Sequence, residues 1–596
     1  MSESHKKRVW FSLRNFALAA APLVTAVLLV ACLLSPGSSV LCYIALAPIG
    51  LAMTARQLPR SAYASAYLAG LLVHLAGMAW VLNCYRYEST WGPYAIQWYW
   101  IGVWGGALLA GAFALGRLLS WRCRLPMTLL LPMLWVVLEF VRHEMAEVVT
   151  GTAFPWLKLG TTIADNQHLV QIADLGGEYL LTFLVAMVNG AVVDAMRIFY
   201  VEDRKRRLML AYAGTMALAL LAMALGYGHW RLGQSTGKQG PTVCLLGEVD
   251  LPPLLSRKRL TVVSDHQRPS DSSGQQGRMA DLLLWPELAY HHRIVEVDPL
   301  TTKTSSPTTG LGPQTQEKQS TLARRASEEN RIYCQSLLTK ASLAHRASVV
   351  FVAGPDSMEV NRMGADKHFA THYLEQTSRN LGATLVIGCE RQQITGERVQ
   401  HFNSLACVDP VMGFQGCYDK INLVPGAEAP ISDPGTEDGV KDGYSRGKTP
   451  RVFCLPTESG TYHFGAAICY DICFGQHFRQ SRADNVDFFV QCGSEGQDTS
   501  GRVAQWMLRY SRLRAVENRR SVVRNANFGY SALIDGNGRV LSSLPPVPIT
   551  EPAWLGSVPI DRRWSFYVHW GDWIAYLACV MVFIWGIVDR RPSAAC

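Results

Sequence analysis

The feature that most constrains this chain is a series of apolar runs, each close to the length a helix needs to cross a bilayer. They fall at 15-35, 39-54, 62-82, 97-119, 125-141, 177-196 and 208-227, with an eighth at 571-588. Backbone polar groups in hydrocarbon must be satisfied within the segment itself, so these runs predict a multi-pass domain of about eight transmembrane helices. A cleavable signal peptide is the rival reading of the first run, but that run is long and further ones follow it closely.

The loops between the runs set an orientation. Lys6, Lys7, Arg8 and Arg14 precede the first run, Arg56 and Arg60 follow the second, and Arg117, Arg122 and Arg124 follow the fourth. Arg197, Arg204, Lys205, Arg206 and Arg207 follow the sixth, and Arg590 and Arg591 the eighth. The alternate loops carry only Arg86, Arg142 and Lys158. Cytoplasmic loops are the ones rich in Lys and Arg, so both termini are expected in the cytoplasm and 228-570 outside. The net charge of +9 is thereby spent on topology, and no nucleic-acid partner is expected.

Three units follow: a membrane domain over 1-228, a soluble domain over 240-560 and a final membrane helix at 571-588. In the middle unit, short β-rich runs at 281-285, 348-353, 383-388 and 486-490 alternate with polar stretches of helical type, the pattern of an α/β domain. Polar segments at 264-278, 301-330 and 431-449 read as loops or insertions. The 15 cysteines show no C-x-x-C spacing, so neither a disulfide framework nor a zinc site is indicated. His291 and His292 have no carboxylate or thiol at ligand spacing, and no metal or cofactor is expected.

Three segments carry residues suited to nucleophilic catalysis. LLLWPE at 282-287 delivers Glu287 from a strand end, YDKINLVPGAE at 418-428 carries Lys420 and Glu428, and FGAAICYD at 464-471 runs from a strand into Cys469. Singly each is weak, because a buried Cys at a strand end is ordinarily an inert small hydrophobe. Together they offer a thiol, a base to take its proton and a cation for the oxyanion. Cys473 shares a helical face with Cys469 and is expected only to pack.

The order WPE, YDK with LVP and E, then ICYD resembles the nitrilase (carbon-nitrogen hydrolase) superfamily. With the flanking membrane runs, GTAFPWLKLG at 151-160, NSLACVDPVMGFQGCYDK at 403-420, RAVENRRSVVRNANFGYSALIDGNG at 514-538 and SFYVHWGDW at 565-573, it resembles the apolipoprotein N-acyltransferases. The resemblance implies an α-β-β-α sandwich carried on the membrane domain at the extracytoplasmic (periplasmic) face of a bacterial inner membrane. It implies Glu287 as general base, Lys420 as oxyanion stabiliser and Cys469 as nucleophile, with Glu428 supporting the lysine and Tyr470 and Asp471 standing where the family has Tyr-Glu. It implies as partners a phospholipid acyl donor, a diacylglyceryl-modified apolipoprotein acceptor and membrane lipids; a monomer is expected. A membrane-tethered amidase passing its acyl group to water, and a non-catalytic lipoprotein-binding relative, remain alternatives. Phe154 and Trp156, in an extracytoplasmic loop, are candidates for the lipid interface. The chain departs from the family at 490-501, where VQCGSEGQDTSG replaces an Asn-Asp-x-Trp-Phe segment, and Gln505 follows where the family has histidine.

Overall fold

The computed structural model describes residues 3–82, 92–150, 154–246, 280–285, 290–297, 351–353, 374–395, 398–425, 427–428, 443–483, 485–496, 498, 501–547, 549 and 553–587. Glu287, the segments 264-278 and 301-330, and 431-442 of the third polar segment lie outside them.

All eight apolar runs are helical. The helices are α1 (Glu3–Leu34), α2 (Ala47–Thr54), α3 (Ser61–Gly77), α4 (Gly92–Arg122), α5 (Met127–Thr150), α6 (Ala173–Ile198), α7 (Arg204–Leu232) and, after the two helices of the soluble domain described below, α10 (Trp573–Ile587). Among the described residues, four stretches are long and apolar enough to cross a membrane: Ser12–Leu34, Ala95–Arg122, Leu169–Ile198 and Arg204–Leu232. The others fall short for identifiable reasons. The second run is broken into a 3-10 turn (Pro36–Tyr43) and the eight-residue α2, while α5 carries the buried Glu139 and Arg142.

Lipid-facing character shows in what is left outside. On α7 only Leu210, Ala217, Ala224, Gly228 and Arg231 are buried, a narrow seam facing the protein, whereas Leu208, Tyr212, Leu218 and Met223 are exposed. A helix apolar all round belongs in a bilayer. Gly105 of α4 permits close packing on α3: a Cβ there would stand 2.1 Å from His74 Nδ1.

The soluble domain begins with β1 (Lys238–Leu245) and β2 (Leu282–Leu284), continues through β3 (Tyr290–Val297), β4 (Phe351–Ala353), β5 (Thr384–Thr395), β6 (Arg398–Asp409) and β7 (Gly413–Asp419), and returns to the same sheet as β14 (Ala553–Ile560). A second sheet holds β8 (Val452–Thr457), β9 (Gly460–Ile468), β10 (Phe488–Ser494), β11 (Ser521–Asn527), β12 (Ser531–Ile534) and β13 (Val540–Leu544) in reverse order across the sheet. Strand alternation builds the layers. Leu282, Leu284, Phe464, Ala466, Phe488 and Val490 meet between the sheets. Leu283 and Leu385 face outward onto Leu374 and Leu381. Ala467, Phe489 and Val522 face the other way, onto α8 (Gly475–Ala483) and α9 (Arg502–Asn518). The result is the α-β-β-α sandwich.

Helix α9 is buried on nearly every side, Arg509, Arg512, Arg514 and Glu517 included, because its outer face meets the membrane helices. Arg514 pairs with Glu178 of α6 at 3.2 Å, and Glu178 also holds Lys158. Just past the helix, Arg519 pairs with Asp174 at 2.6 Å, and Arg231 of α7 reaches the same carboxylate at 2.6 Å. Buried charges are tolerated only when paired, so these contacts hold the two bodies in one register.

Candidate active site

The site lies at the carboxyl ends of parallel strands. β9 pairs with β10 and β10 with β11, all parallel, so the ends at Ile468, Cys492 and Asn525 come together. From the other sheet comes the carboxyl end of β2, central between β1 and β5. Asn525 bridges the sheets, its Nδ2 donating to the carbonyls of Leu284 at 2.7 Å and Leu246 at 3.1 Å. The chain is thereby fixed at Trp285, two residues before Glu287, where the Trp285 N–H donates to the Val386 carbonyl at 2.9 Å.

Cys469 is the first residue after β9 and opens a 3-10 turn, Cys469–Cys473. Its φ is +45°, a left-handed conformation that costs a side-chain-bearing residue about 1–2 kcal/mol. Strain of this kind persists only where surroundings enforce it, and such positions gather at active sites. The side chain is 7% exposed, and its Sγ lies 3.8 Å from the Ser494 carbonyl.

Asp471 enforces the turn. Its Oδ2 accepts from the N–H of Ile468 at 3.0 Å and from the Tyr418 hydroxyl at 2.7 Å; its Oδ1 accepts from the N–H of Asn422 at 2.9 Å and from Asn422 Nδ2 at 2.8 Å. One carboxylate thus joins the Cys469 turn to the strand and loop on either side of Lys420.

Lys420 is buried. Its Nζ lies 2.9 and 2.8 Å from the two oxygens of Glu428. Glu428 is held in turn by Asn403 Nδ2 at 2.9 Å and the N–H of Val424 at 2.8 Å. A cation desolvated in this way and anchored by a carboxylate is preorganised to face developing negative charge. Burial pushes the Tyr470 phenol well above its usual range, with the Cys473 and Cys469 thiols raising it further and Lys420 drawing it down.

Trp156 is a correction to the expectation of a lipid-facing ring. It is 3% exposed and packs within 5.6 Å of Tyr470, 5.5 Å of Trp506 and 5.4 Å of Trp80, ring centre to ring centre. The physical reason lies in α5: Arg142 Nη2 donates to the Trp156 carbonyl at 2.8 Å, and Glu139 accepts from the N–H of Leu159 at 2.7 Å. These buried groups draw the loop inward beneath the Cys469 turn. Phe154 is half-buried under the Arg142 guanidinium, 5.5 Å from its ring. Cys473 packs against α9, with its Sγ 3.8 Å from Met507 Sδ, and burial pushes its thiol up.

Sequence reasoning missed Arg524 and Glu495, buried charges that pair beneath the site. The signal was present in SVVRNAN, where an arginine interrupts a strand that is otherwise apolar at its start.

A cysteine elbow at the end of a strand, a buried lysine on a carboxylate and a two-sheet sandwich define a carbon-nitrogen hydrolase domain, and the sequence model of that family, "Carbon-nitrogen hydrolase", matches residues 364–550. The preceding helices match "Apolipoprotein N-acyltransferase N-terminal domain" over residues 25–191. The chain is 25% identical to an apolipoprotein N-acyltransferase of Geobacter metallireducens, over 94% of this chain and 93% of that one. It is 26% identical to one of Rhodopirellula baltica, over 79% of this chain and 80% of that one, and 24% identical to apolipoprotein N-acyltransferase 2 of Treponema pallidum, over 76% and 74%. An amidase from Nesterenkonia sp. aligns with 56% of this chain and 95% of its own at 16% identity, with a TM-score of 0.29. This chain belongs to the apolipoprotein N-acyltransferase family.

Proposed function

We propose that the protein moves an acyl chain from a membrane phospholipid to the α-amino group of the N-terminal diacylglyceryl-cysteine of lipoproteins. In this reading Cys469 Sγ attacks the ester carbonyl and its proton passes to Glu287. Lys420 faces the oxyanion, and the lysophospholipid leaves with the proton, its hydroxyl re-formed. The thioester then meets the acceptor amine, Glu287 takes the amine proton and returns it to sulfur, and the amide leaves. Two steps through one thiol make the kinetics ping-pong, and a single site needs to hold only one lipid at a time.

The observation that carries the reading is the Asp471 carboxylate, which binds the strained Cys469 turn and the Lys420 loop into one unit. The membrane helices beside Trp156 support lipid substrates, since both reactants are bilayer-anchored. The working division is a membrane domain over 1-228, a catalytic domain over 240-560 on the extracytoplasmic side of the bacterial inner membrane, and a helix at 571-588.

The test is incubation of the purified protein with phospholipid and a diacylated lipopeptide, read by mass spectrometry. The expected result is N-acylated peptide, with an acyl adduct on Cys469 when the acceptor is withheld. Cys469→Ala, Glu287→Gln and Lys420→Ala should each abolish it. Rapid release of free fatty acid in place of peptide acylation assigns the chain to the amidase-like alternative, and an active Cys469→Ala protein refutes the mechanism.

A further inference from the structure

Beneath the nucleophile, on the strands β10 and β11, lies a buried charge pair that the proposed chemistry does not use. Arg524 of β11 stands in register with Gln491 of β10. It is fully buried, and its guanidinium is spent on three partners: Nε donates to the Tyr530 carbonyl at 2.7 Å, Nη1 to Gln491 Oε1 at 2.8 Å, and Nη2 to Glu495 Oε1. Gln491 Nε2 in turn approaches the Cys469 carbonyl at 3.5 Å. The pair is thus linked through one amide to the backbone of the strained residue.

Glycine keeps the pair close to the Cys469 backbone. A Cβ on Gly493 would lie 3.5 Å from Cys469 Cα, 3.1 Å from Gln491 Nε2 and 3.8 Å from Glu495 Oε1. No side chain therefore separates the carboxylate and the amide from the nucleophile's backbone. The second oxygen of Glu495 is buried without a hydrogen-bond partner among the described residues. A full carboxylate held so incompletely is costly and calls for a reason beyond packing.

We infer that the Glu495–Arg524 pair positions Cys469 and sets the charge its thiol experiences, an inference that rests on Cys469 being the nucleophile. Arg524 favours the thiolate and the charge that builds at the elbow; Glu495 offsets part of that cation, and Gln491 transmits the pair's rigidity to the Cys469 carbonyl. Burial lowers the Arg524 guanidinium to about 10, and the Cys469 and Cys473 thiols act on it in the opposite direction. Among the described residues, the other charged and titratable groups at the elbow are Lys420 with Glu428 from the loop after β7, and Asp471, Tyr470 and Cys473 within its own turn; Glu287, which the proposed chemistry brings to the thiol, lies outside the described residues.

The experiment measures alkylation of Cys469 by iodoacetamide against pH, in the full chain in detergent, with the site resolved by tandem mass spectrometry. Glu495→Gln leaves the cation without its counter-charge and should move the alkylation midpoint down by about 1 pH unit; Arg524→Gln should move it up by about as much. Gln491→Met leaves both charges in place, so the midpoint should stay while the acylation rate falls roughly tenfold or more through loss of orientation. A purely structural pair predicts shifts of one sign, or none, for the two charge variants, and that result overturns the inference. So does failure of both charge variants to fold, or a wild-type acylation rate in Gln491→Met. Cys469→Ala activity is scored separately, so loss of the nucleophile reading is distinguishable from loss of this one.

Discussion

Asp471 Oδ2 accepts the Tyr418 hydroxyl at 2.7 Å, which places a structural tie two residues after Cys469. An acid there invites a catalytic role, yet its lone pairs are occupied by Tyr418, Asn422 and the N–H of Ile468.

Asp471→Asn exchanges one acceptor for a donor that must face existing donors. It should lower stability by about 2 kcal/mol and acyl transfer more than tenfold, because the Cys469 turn and Lys420 loop lose their common anchor. Thermal melts and the lipopeptide assay check this; a stable variant with full activity contradicts the tie.

Cys473 should not react where Cys469 does. Burial raises its thiol, so the protonated form persists as pH rises through the ordinary thiol range, and only thiolate attacks. At pH 8, fragment-resolved labelling should find iodoacetamide on Cys469 and not on Cys473, and Cys473→Ala should retain most activity. Equal labelling of both sulfurs would show the burial to be incomplete.

Trp156→Ala removes a ring packed against Tyr470, Trp506, Tyr510 and Trp80. A buried Trp-to-Ala change costs about 3–5 kcal/mol, and here the void opens beneath the nucleophile turn. Both the melting temperature and the acylation rate should drop; a ring that only anchored the protein in lipid would leave the rate in detergent unchanged.

Asp174→Ala strips the shared partner from Arg519 and Arg231, both buried. The expected loss is about 3–5 kcal/mol. Glu375, whose ion pair with Arg379 leaves the two side chains 24% and 52% exposed, is the internal comparison. Its alanine variant should cost no more than about 1 kcal/mol, and comparable melts for the two would undo the argument from burial.

Reporter fusions test the orientation read from Lys and Arg. Fusions near 240 and 560 should be active as extracytoplasmic reporters and those near 204 and 590 as cytoplasmic ones. A fusion near 300 active only in the cytoplasm would put the catalytic domain on the other side.

Much of this molecule could be read along the chain, because the relevant signals are local. Apolar run length marks the helices of the membrane domain, and short β-rich apolar runs such as 281-285 and 486-490 mark strands of the sandwich. Cys469, Lys420 and Glu428 stood out since each follows a strand or turn in a characteristic order. What the sequence could not decide was pairing. Arg519 meets Asp174 across 345 positions and Asn525 meets Leu284 across 241, and no local pattern encodes such partners. For the same reason the inward turn of Trp156, the tying role of Asp471 and the Glu495–Arg524 pair emerged only in three dimensions. A side chain's chemistry there is set by which groups desolvate and satisfy it, and those groups are brought together by the packing of whole layers.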